Sequence, residues 1–266
     1  MDSWRSGFVR VLAGAGRPLQ AAATGLSYLA AGTLTRRELD EAITRLWDEL
    51  GHDEGAVPDG LHAWESDFYL PRLRPGERVL LVGCGTGRDL AALLRLGHDA
   101  EGLDLAPLAV EACRRRLARL GLEARLHVGS IETAAVEARF DVVVFSWLCY
   151  GYIHGSRSRV AALRNARRLL TSDGRVLASY VEREAPPGRA AIRLARAAAR
   201  LSRAGWTPEY GDLLLLSRRR GRLAVHYEHH FAARELEDEA REAGLATLEH
   251  GVAGHGRIVL TSADPS

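Results

Sequence analysis

Three glycines alternate with other residues directly after a short apolar run. Gly83, Gly85 and Gly87 follow the run at 79–82, and a helix is predicted to start behind them. Glycine lets the backbone bend sharply and lets a ligand approach where a side chain would collide with it. The helix N-terminus also points free N–H groups and the positive end of its dipole at the turn. This arrangement predicts a cradle for a cofactor, either a dinucleotide or an adenosyl compound.

The spacing of the glycines separates these two ligands. The dinucleotide pattern Gly-x-Gly-x-x-Gly needs a glycine at the position of Arg88, whereas the third glycine here comes one residue earlier. Asp104 ends the next apolar run, and its two carboxylate oxygens can accept the hydrogens of both hydroxyls of a ribose. The pattern favours an adenosyl cofactor, with an NAD-type oxidoreductase as the alternative.

Composition excludes several other classes of protein. All 36 basic residues are arginine, so Schiff-base enzymes, Walker A phosphate loops and Ser-x-x-Lys hydrolases are excluded because each needs a lysine. The net charge of only +2 predicts no nucleic-acid partner. Three scattered cysteines fit neither a disulfide framework nor a metal cluster, and they favour a reducing compartment.

The apolar stretch at 11–34 does not have the pattern of a membrane or secretion signal. Arg17, Pro18 and Gln20 interrupt it, so neither a spanning helix nor a signal peptide is predicted. We therefore expect a cytoplasmic protein without stable membrane association.

Strand and helix patterns alternate around the glycine turn. Strands are predicted at 79–82, 100–103, 124–128, 140–145, 175–181, 223–231, 245–250 and 257–261, with helices between most of them. Such alternation specifies right-handed crossovers and a sheet that is covered on both faces. The prediction is an α/β fold with a doubly wound, mostly parallel, seven-stranded sheet.

Two further segments are predicted to surround this sheet. Residues 1–75 have helical patterns and are predicted to form an N-terminal cap on a domain at 76–266. One of these helices is amphipathic, because apolar residues that include Leu39, Ile43 and Trp47 recur at helical spacing. Residues 182–222 interrupt the alternation after the fifth strand. They leave from the carboxyl end of a parallel strand, where open α/β sheets bind ligands, so they are predicted to form a cap over the substrate. Candidate substrate contacts in this insertion are Trp206, Tyr210 and Asp212.

The middle of the chain resembles the class I S-adenosylmethionine-dependent methyltransferases. The matching segments are 79–90, 102–107, 129–131, 140–144 and 169–177, in the order that the family shows. The resemblance implies a Rossmann-like fold in which the three glycines receive the methionine portion of the cofactor, Asp104 holds the ribose, and Ser130 and Ile131 border the adenine. The predicted cofactor-binding set is Gly83, Cys84, Gly85, Gly87, Asp104, Leu105, Ser130, Ile131, Ser146 and Trp147.

The chain departs from the family pattern at two positions. Many members carry an acidic residue where this chain has Leu81, and that residue helps to hold the cofactor's ammonium group; many also have an aspartate in place of Ser130. The motif of the nucleic-acid aminomethyltransferases and the acidic pair of the catechol enzymes are absent as well. The resemblance implies a small-molecule acceptor, and a methyltransferase-like binding protein without activity is the other alternative.

The segment at 146–154 follows the fourth strand, where the family places the sulfonium and the acceptor. Methyl transfer mainly needs alignment, but a neutral hydroxyl or a protonated amine also needs a base. His154 is the first candidate because its unperturbed pKa is close to neutral, and His229, His230 and Glu182 follow. Tyr150 offers a ring face that can stabilise the sulfonium.

No metal site is predicted, because His229 and His230 point to opposite faces of a strand. The predicted reaction is transfer of a methyl group from S-adenosylmethionine to an oxygen or nitrogen atom of a small, partly apolar molecule by in-line displacement.

Overall fold

The computed structural model describes residues 22–50, 60–183 and 189–262. The first part of the predicted N-terminal cap, its segment at 51–59 and the start of the predicted insertion at 184–188 lie outside these ranges. Within the described ranges, none of the helices is both long and apolar enough to cross a membrane.

Helices and strands alternate along most of the chain. The helices are α1 (22–33), α2 (Arg36–Leu50), α3 (Ala63–Tyr69), α4 (Arg88–Arg95), α5 (Pro107–Arg119), α6 (Ser156–Leu169), α7 (Arg189–Ser202) and α8 (Glu235–Glu242). The strands are β1 (Arg78–Val82), β2 (Asp99–Asp104), β3 (Leu126–Val128), β4 (Phe140–Phe145), β5 (Leu170–Glu182), β6 (Asp212–Arg219), β7 (Arg222–Phe231), β8 (Ala246–Ala253) and β9 (His255–Thr261).

Seven strands form the central sheet in the order β3-β2-β1-β4-β5-β9-β8. The first five are parallel, whereas β9 runs antiparallel to β5 and β8 runs antiparallel to β9. The doubly wound, mostly parallel prediction is confirmed. In the register of the sheet, Val82 pairs with both Leu103 and Phe145. The glycine turn, Asp104 and Ser146 therefore emerge at the same edge of the sheet.

The central strands are buried on both faces, as expected for parallel strands covered by crossover helices. Leu80 and Val143 face a cluster that includes Leu163 of α6. Leu81 belongs to the cluster on the opposite face, with Phe68 of α3. The two layers of helices fix the sheet edge at which the glycine turn lies.

The insertion after β5 consists of α7 and a hairpin formed by β6 and β7. The hairpin turns at Arg220 and Gly221, both with positive φ as the tight turns of hairpins require. Strand β7 then pairs in parallel with the last two residues of β5. The insertion was predicted to end at residue 222, but β7 continues the hairpin beyond that residue. The insertion in the central sheet therefore extends to Phe231.

The N-terminal helices pack against this insertion. Tyr28 of α1 and Ile43 of α2 share a buried cluster with Leu214 and Val225 of the hairpin. The hydroxyl of Tyr28 also donates a 2.6 Å hydrogen bond to the carbonyl of Asp212. Together, these two distant parts of the chain form a roof near the edge of the sheet where the glycine turn lies.

Candidate active site

A cavity of about 580 Å³ lies at this edge, between the glycine turn, the ends of β2 and β4, helix α2 and the hairpin strand β7. Ten of the thirteen predicted site residues line it: Gly83, Cys84, Gly85, Asp104, Leu105, Ser130, Ile131, Ser146, Trp147 and His154. The fold therefore brings most of the predicted cofactor-binding set together.

The glycine turn serves two purposes. At Gly85, with φ of +52°, a Cβ atom would meet nothing within 4 Å, so the bare backbone borders open space. At Gly87, with φ of +86°, a Cβ atom would lie 2.6 Å from the sulfur of Cys113 in α5. Gly87 is outside the cavity lining, and its predicted contact with the cofactor is corrected to a helix-packing role at the start of α4.

Asp104 is held at the cavity by backbone hydrogen bonds. Its Oδ2 accepts from the N–H of Gly85 at 2.7 Å, and its Oδ1 accepts from the N–H of Ala106 at 2.9 Å. Burial raises the pKa of Asp104, and these backbone bonds oppose the shift. Each oxygen keeps a second lone pair, so a ribose diol can still donate to the carboxylate. The site fits an adenosyl ligand.

The loop predicted to border the adenine also reaches the cavity. Ser130 donates its hydroxyl hydrogen to Glu132, which lines the cavity beside Ile131. The side chain of Asn165 in α6 donates a 2.7 Å hydrogen bond to the carbonyl of Ile131. This bond anchors the loop to the sheet domain.

The chain turns sharply behind β4. Trp147 and Leu148 have φ of +30° and +64°, a region that residues other than glycine rarely adopt. The N–H of Trp147 donates to the hydroxyl of Tyr69, and the N–H of Leu148 donates to the hydroxyl of Ser179. Ser146 donates to the carbonyl of Gly83 at 2.6 Å. Side-chain acceptors from two other elements thus hold the strained turn at the rim of the cavity.

His154 is the predicted base that lines the cavity. Its Nε2 lies 2.6 Å from Oδ1 of Asp40 in α2. Burial lowers the pKa of His154 to about 4, and the positive charge of Arg36 acts in the same direction. The ring is therefore neutral near pH 7. We assign the hydrogen to Nε2, which donates to Asp40 and leaves Nδ1 to accept a proton.

Aromatic rings line the same cavity as His154. The ring centroids of Trp47 and Tyr152 are 4.7 Å apart, and His226 of β7 lies 6.0 Å from Tyr152. The residues predicted for the site did not include Asp40, Trp47 or His226. The amphipathic pattern of α2 indicated that Trp47 is buried, but it contained no information about its partner.

Two of the predicted catalytic residues lie outside the cavity, and their predictions are corrected. Tyr150 is fully buried in the core, where its hydroxyl donates to Glu239 at 2.8 Å. His229 is also fully buried, between Asp212 at 2.7 Å and Glu235 at 3.0 Å. Neither residue is part of the cavity lining, so neither can contact a ligand there.

His229 belongs to a buried polar network that joins the insertion to the sheet domain. We call this set the insertion network: Arg159, Glu209, Asp212, Tyr227, His229, Glu235 and Glu239. Arg159 is fully buried and donates to Glu239 at 2.7 Å and to Glu209 at 2.9 Å. These hydrogen bonds fasten the hairpin to helices α6 and α8.

Three members of the insertion network stand close enough to suggest a metal site. The possible ligand atoms of Glu209, Asp212 and His229 lie within 4.8 Å of one another. However, Glu209 already accepts a hydrogen bond from Arg159, and both Tyr227 and His229 form hydrogen bonds to Oδ1 of Asp212. The positively charged guanidinium of Arg159 competes with a metal ion at this position. We therefore assign Glu209, Asp212 and His229 to hydrogen bonding within the chain.

A second buried group of charges stands at the cavity itself. We call Glu65 of α3 with Arg88 and Asp89 of α4 the cavity cluster. Arg88 donates from Nη2 to Glu65 and from Nε to Asp89, each at 2.5 Å. Burial raises the pKa of Glu65 to about 7, and the negative charge of Asp89 adds to this shift. Of the three, Arg88 and Asp89 line the cavity.

Comparisons with known proteins agree with this geometry. A family model described as a methyltransferase domain matches residues 73–206. The chain is 30% identical over 183 residues to a ubiquinone biosynthesis O-methyltransferase of Xanthomonas axonopodis pv. citri, covering 66% of this chain and 74% of that protein. It is 38% identical over 101 residues to a protein-L-isoaspartate O-methyltransferase of Methylorubrum populi, covering 35% of this chain and 48% of that protein.

The fold is also found among solved structures. The structure of an S-adenosylmethionine-dependent methyltransferase from Clostridium acetobutylicum superimposes with a TM-score of 0.57. The two chains are 14% identical, and the match covers 83% of this chain and 97% of the other. At this level of identity the likeness supports the Rossmann-like fold alone.

Proposed function

The chain belongs to the class I S-adenosylmethionine-dependent methyltransferases, and we propose that its acceptor is an oxygen or nitrogen atom of a small, partly apolar molecule. Membership of this family makes S-adenosylmethionine the cofactor and removes the NAD-type alternative. The observation that carries the proposal is the neutral His154, held by Asp40 at a cavity that aromatic rings also line.

The size and lining of the cavity support a small acceptor. About 580 Å³ lies within the range of small-molecule sites, which are mostly apolar with a few polar groups that fix orientation. Trp47, Tyr152 and Ile153 supply the apolar surface, while His154 and Asp40 supply the polar groups. The relative from Xanthomonas is named as an O-methyltransferase of ubiquinone biosynthesis, which supports oxygen as one of the two acceptor atoms.

When bound, the cofactor supplies a methyl group already activated by its sulfonium. The residues of the chain then have three tasks. The rings of Trp47 and Tyr152 orient the acceptor and exclude water. Nδ1 of His154 accepts the proton of the acceptor's hydroxyl or ammonium group. Asp40 fixes the orientation of the imidazole and stabilises the positive charge that it gains.

The same proposal places the enzyme in the cytoplasm. Cys84, Cys113 and Cys149 are free thiols in the structure, and a reducing compartment suits them. A small-molecule acceptor requires neither a nucleic-acid nor a membrane partner.

The experiment is a methylation assay with labelled S-adenosylmethionine and a panel of small phenols and aromatic amines. With any acceptor that is methylated, we expect His154→Gln to lower kcat by about 10²- to 10⁴-fold, because the base is lost. Binding of S-adenosylhomocysteine should stay within about threefold of the wild type, since the cofactor cradle is unchanged.

The matched control is His98→Gln, since His98 precedes β2 at the opposite edge of the sheet. An unchanged kcat in His154→Gln would remove His154 as the base. Binding of the cofactor without methylation of any small acceptor would favour the alternative of a binding protein without activity.

A further inference from the structure

Strand β1 has Leu81 at the position where many members of the family carry an acidic residue. Leu81 is fully buried between the sheet and the helices of one face, among Phe68 and Leu90. An apolar side chain in this position cannot accept a hydrogen bond from the cofactor's ammonium group. The carbonyl of Gly83, which also lines the cavity, accepts a hydrogen bond from Ser146 and carries no full negative charge. A negative charge for the cofactor's ammonium group must therefore come from another residue at the cavity.

The cavity cluster has two polar atoms without a partner. Asp89 and Arg88 both line the cavity, although they are only 4% and 8% exposed. Oδ1 of Asp89 accepts from Nε of Arg88, but no hydrogen bond from any residue within the described ranges reaches its Oδ2. Nη1 of Arg88 also donates no hydrogen bond to these residues, since Nε and Nη2 make both of its contacts. The cavity cluster thus has one free acceptor and one free donor.

The third member of the cluster has no such atom. Glu65 accepts from Arg88 at one carboxylate oxygen and from the N–H of His62 at the other. Its task is to hold the guanidinium, which also lies 5.7 Å from the centre of the Trp147 ring. Glu65 is therefore a positioning residue for Arg88.

The charges of the cluster do not balance within the protein. With all three side chains ionised, two carboxylates face one guanidinium in a buried place. A buried carboxylate oxygen and a buried guanidinium nitrogen without partners are costly, and each is stabilised by a ligand group of opposite charge. The methionine end of the cofactor carries an ammonium and a carboxylate on one carbon atom. This pair matches the free acceptor and the free donor of the cluster.

We propose that Asp89 and Arg88 bind the amino-acid end of S-adenosylmethionine, with Oδ2 of Asp89 accepting from the ammonium and Nη1 of Arg88 donating to the carboxylate. Helix α4 thereby supplies the negative charge that strand β1 lacks at Leu81. Electrostatic recognition of this end is moved from the strand before the glycine turn to the helix behind it. The proposal rests on the family's cofactor and is independent of the acceptor.

Two ligands that differ only at this end test the proposal. S-adenosylhomocysteine has the amino-acid group, whereas 5′-deoxy-5′-methylthioadenosine has the same adenosine and thioether without it. We would measure the affinity of the full chain and of Asp89→Asn for both ligands by titration calorimetry. Asp89→Asn should bind S-adenosylhomocysteine about 10- to 100-fold more weakly, as expected for a lost hydrogen bond to a charged group. The affinity for methylthioadenosine should change less than about threefold.

The matched control is Asp67→Asn, since Asp67 is exposed on α3 two residues after Glu65. This variant should bind both ligands as the wild type does. Equal losses for the two ligands in Asp89→Asn would show a structural role and overturn the proposal. An unchanged affinity for S-adenosylhomocysteine would also overturn it.

A second measurement removes the dependence on a folded variant. The wild-type chain should bind the deaminated analogue of S-adenosylhomocysteine at least about 10-fold more weakly than S-adenosylhomocysteine itself. Equal affinities would overturn the role of Asp89. Neither titration contains an acceptor, so a failure of the proposed acceptor chemistry would leave these results unaffected.

Discussion

The insertion network and the cavity cluster are built from the same residue types. In each, a buried arginine lies between carboxylates: Arg159 between Glu209 and Glu239, and Arg88 between Glu65 and Asp89. Each also contains a guanidinium nitrogen, Nη1, that makes no hydrogen bond with the residues described by the structure. Residue type and burial alone therefore do not distinguish the two groups.

The difference lies in what surrounds the free atoms. The guanidinium of Arg159 lies 5.2 Å from the centre of the Phe231 ring, whose face attracts the charge, and its Nη1 is closed off from solvent. Arg88 and Asp89 instead border a cavity. An unpartnered polar atom indicates a ligand only where a ligand can reach it. We therefore assign the insertion network to stability and the cavity cluster to binding.

The largest expected effect is the loss of stability when Arg159 is removed from the insertion network. Arg159→Leu leaves the buried Glu239 and the half-buried Glu209 without their cation, so we expect the free energy of unfolding to fall by about 3–5 kcal/mol. Urea denaturation measures this change. Arg157→Leu is the control, because Arg157 is exposed two residues earlier on the same helix, and it should change stability by less than about 0.5 kcal/mol. Equal stability of the two variants would contradict the assignment.

Neutralising a carboxylate of the cavity cluster should change how stability depends on pH. The pKa of Glu65 is raised from 4.5 to about 7 in the folded chain, so the folded state binds more protons in this interval. Its contribution to stability is present below pH 4.5 and is lost as the pH rises through about 7. In Glu65→Gln we expect this loss, at most about 3 kcal/mol, to disappear.

The measurement is urea denaturation of the wild type and of Glu65→Gln at pH 5 and pH 8. The wild type should lose more stability between these values than the variant does. The same pH dependence in both chains would mean that burial does not hold Glu65 protonated in the folded chain. That result would contradict the difference between the cavity cluster and the insertion network.

The smallest expected effect concerns the strained turn beside the cavity cluster. Tyr69→Phe removes the hydroxyl that accepts from the N–H of Trp147, so the free energy of unfolding should fall by about 1 kcal/mol. Tyr210→Phe, at an exposed residue of the insertion, should have no measurable effect. A loss as large as that of Arg159→Leu would show that the turn, and not only the insertion network, is a main source of stability.

The cofactor half of the site could be predicted because its signals are local. Each signal can be recognised within a few residues of sequence: the glycines at alternate positions, the carboxylate at the end of the next strand and the short buried runs. The parallel register then brings the ends of β1, β2 and β4 to one edge. Of the predicted cofactor-binding set, Gly87 alone lies outside the cavity lining. A positive φ and a close approach to Cys113 require a glycine there, just as contact with a ligand would.

The acceptor half depends on contacts between distant parts of the chain. The amphipathic pattern of α2 predicted a buried face, but it does not show that Asp40 would meet His154. Alternation along β7 placed His229 and His230 on opposite faces without showing which face is turned to the cavity. His226 lines it, whereas His229 is turned into the insertion network. Long-range packing decided these outcomes.

The roof of the cavity also has a consequence for how the chain is made. The hydroxyl of Tyr28 bonds to Asp212 across 184 positions, and the indole of Trp206 bonds to Leu34 across 172 positions. A growing chain therefore completes β1, β2 and β4 long before the partners of α1 and α2 have been synthesised. Closing so long a loop costs entropy that only the finished contacts offset. During synthesis, the cofactor cradle can form first, and the acceptor region must wait for the hairpin.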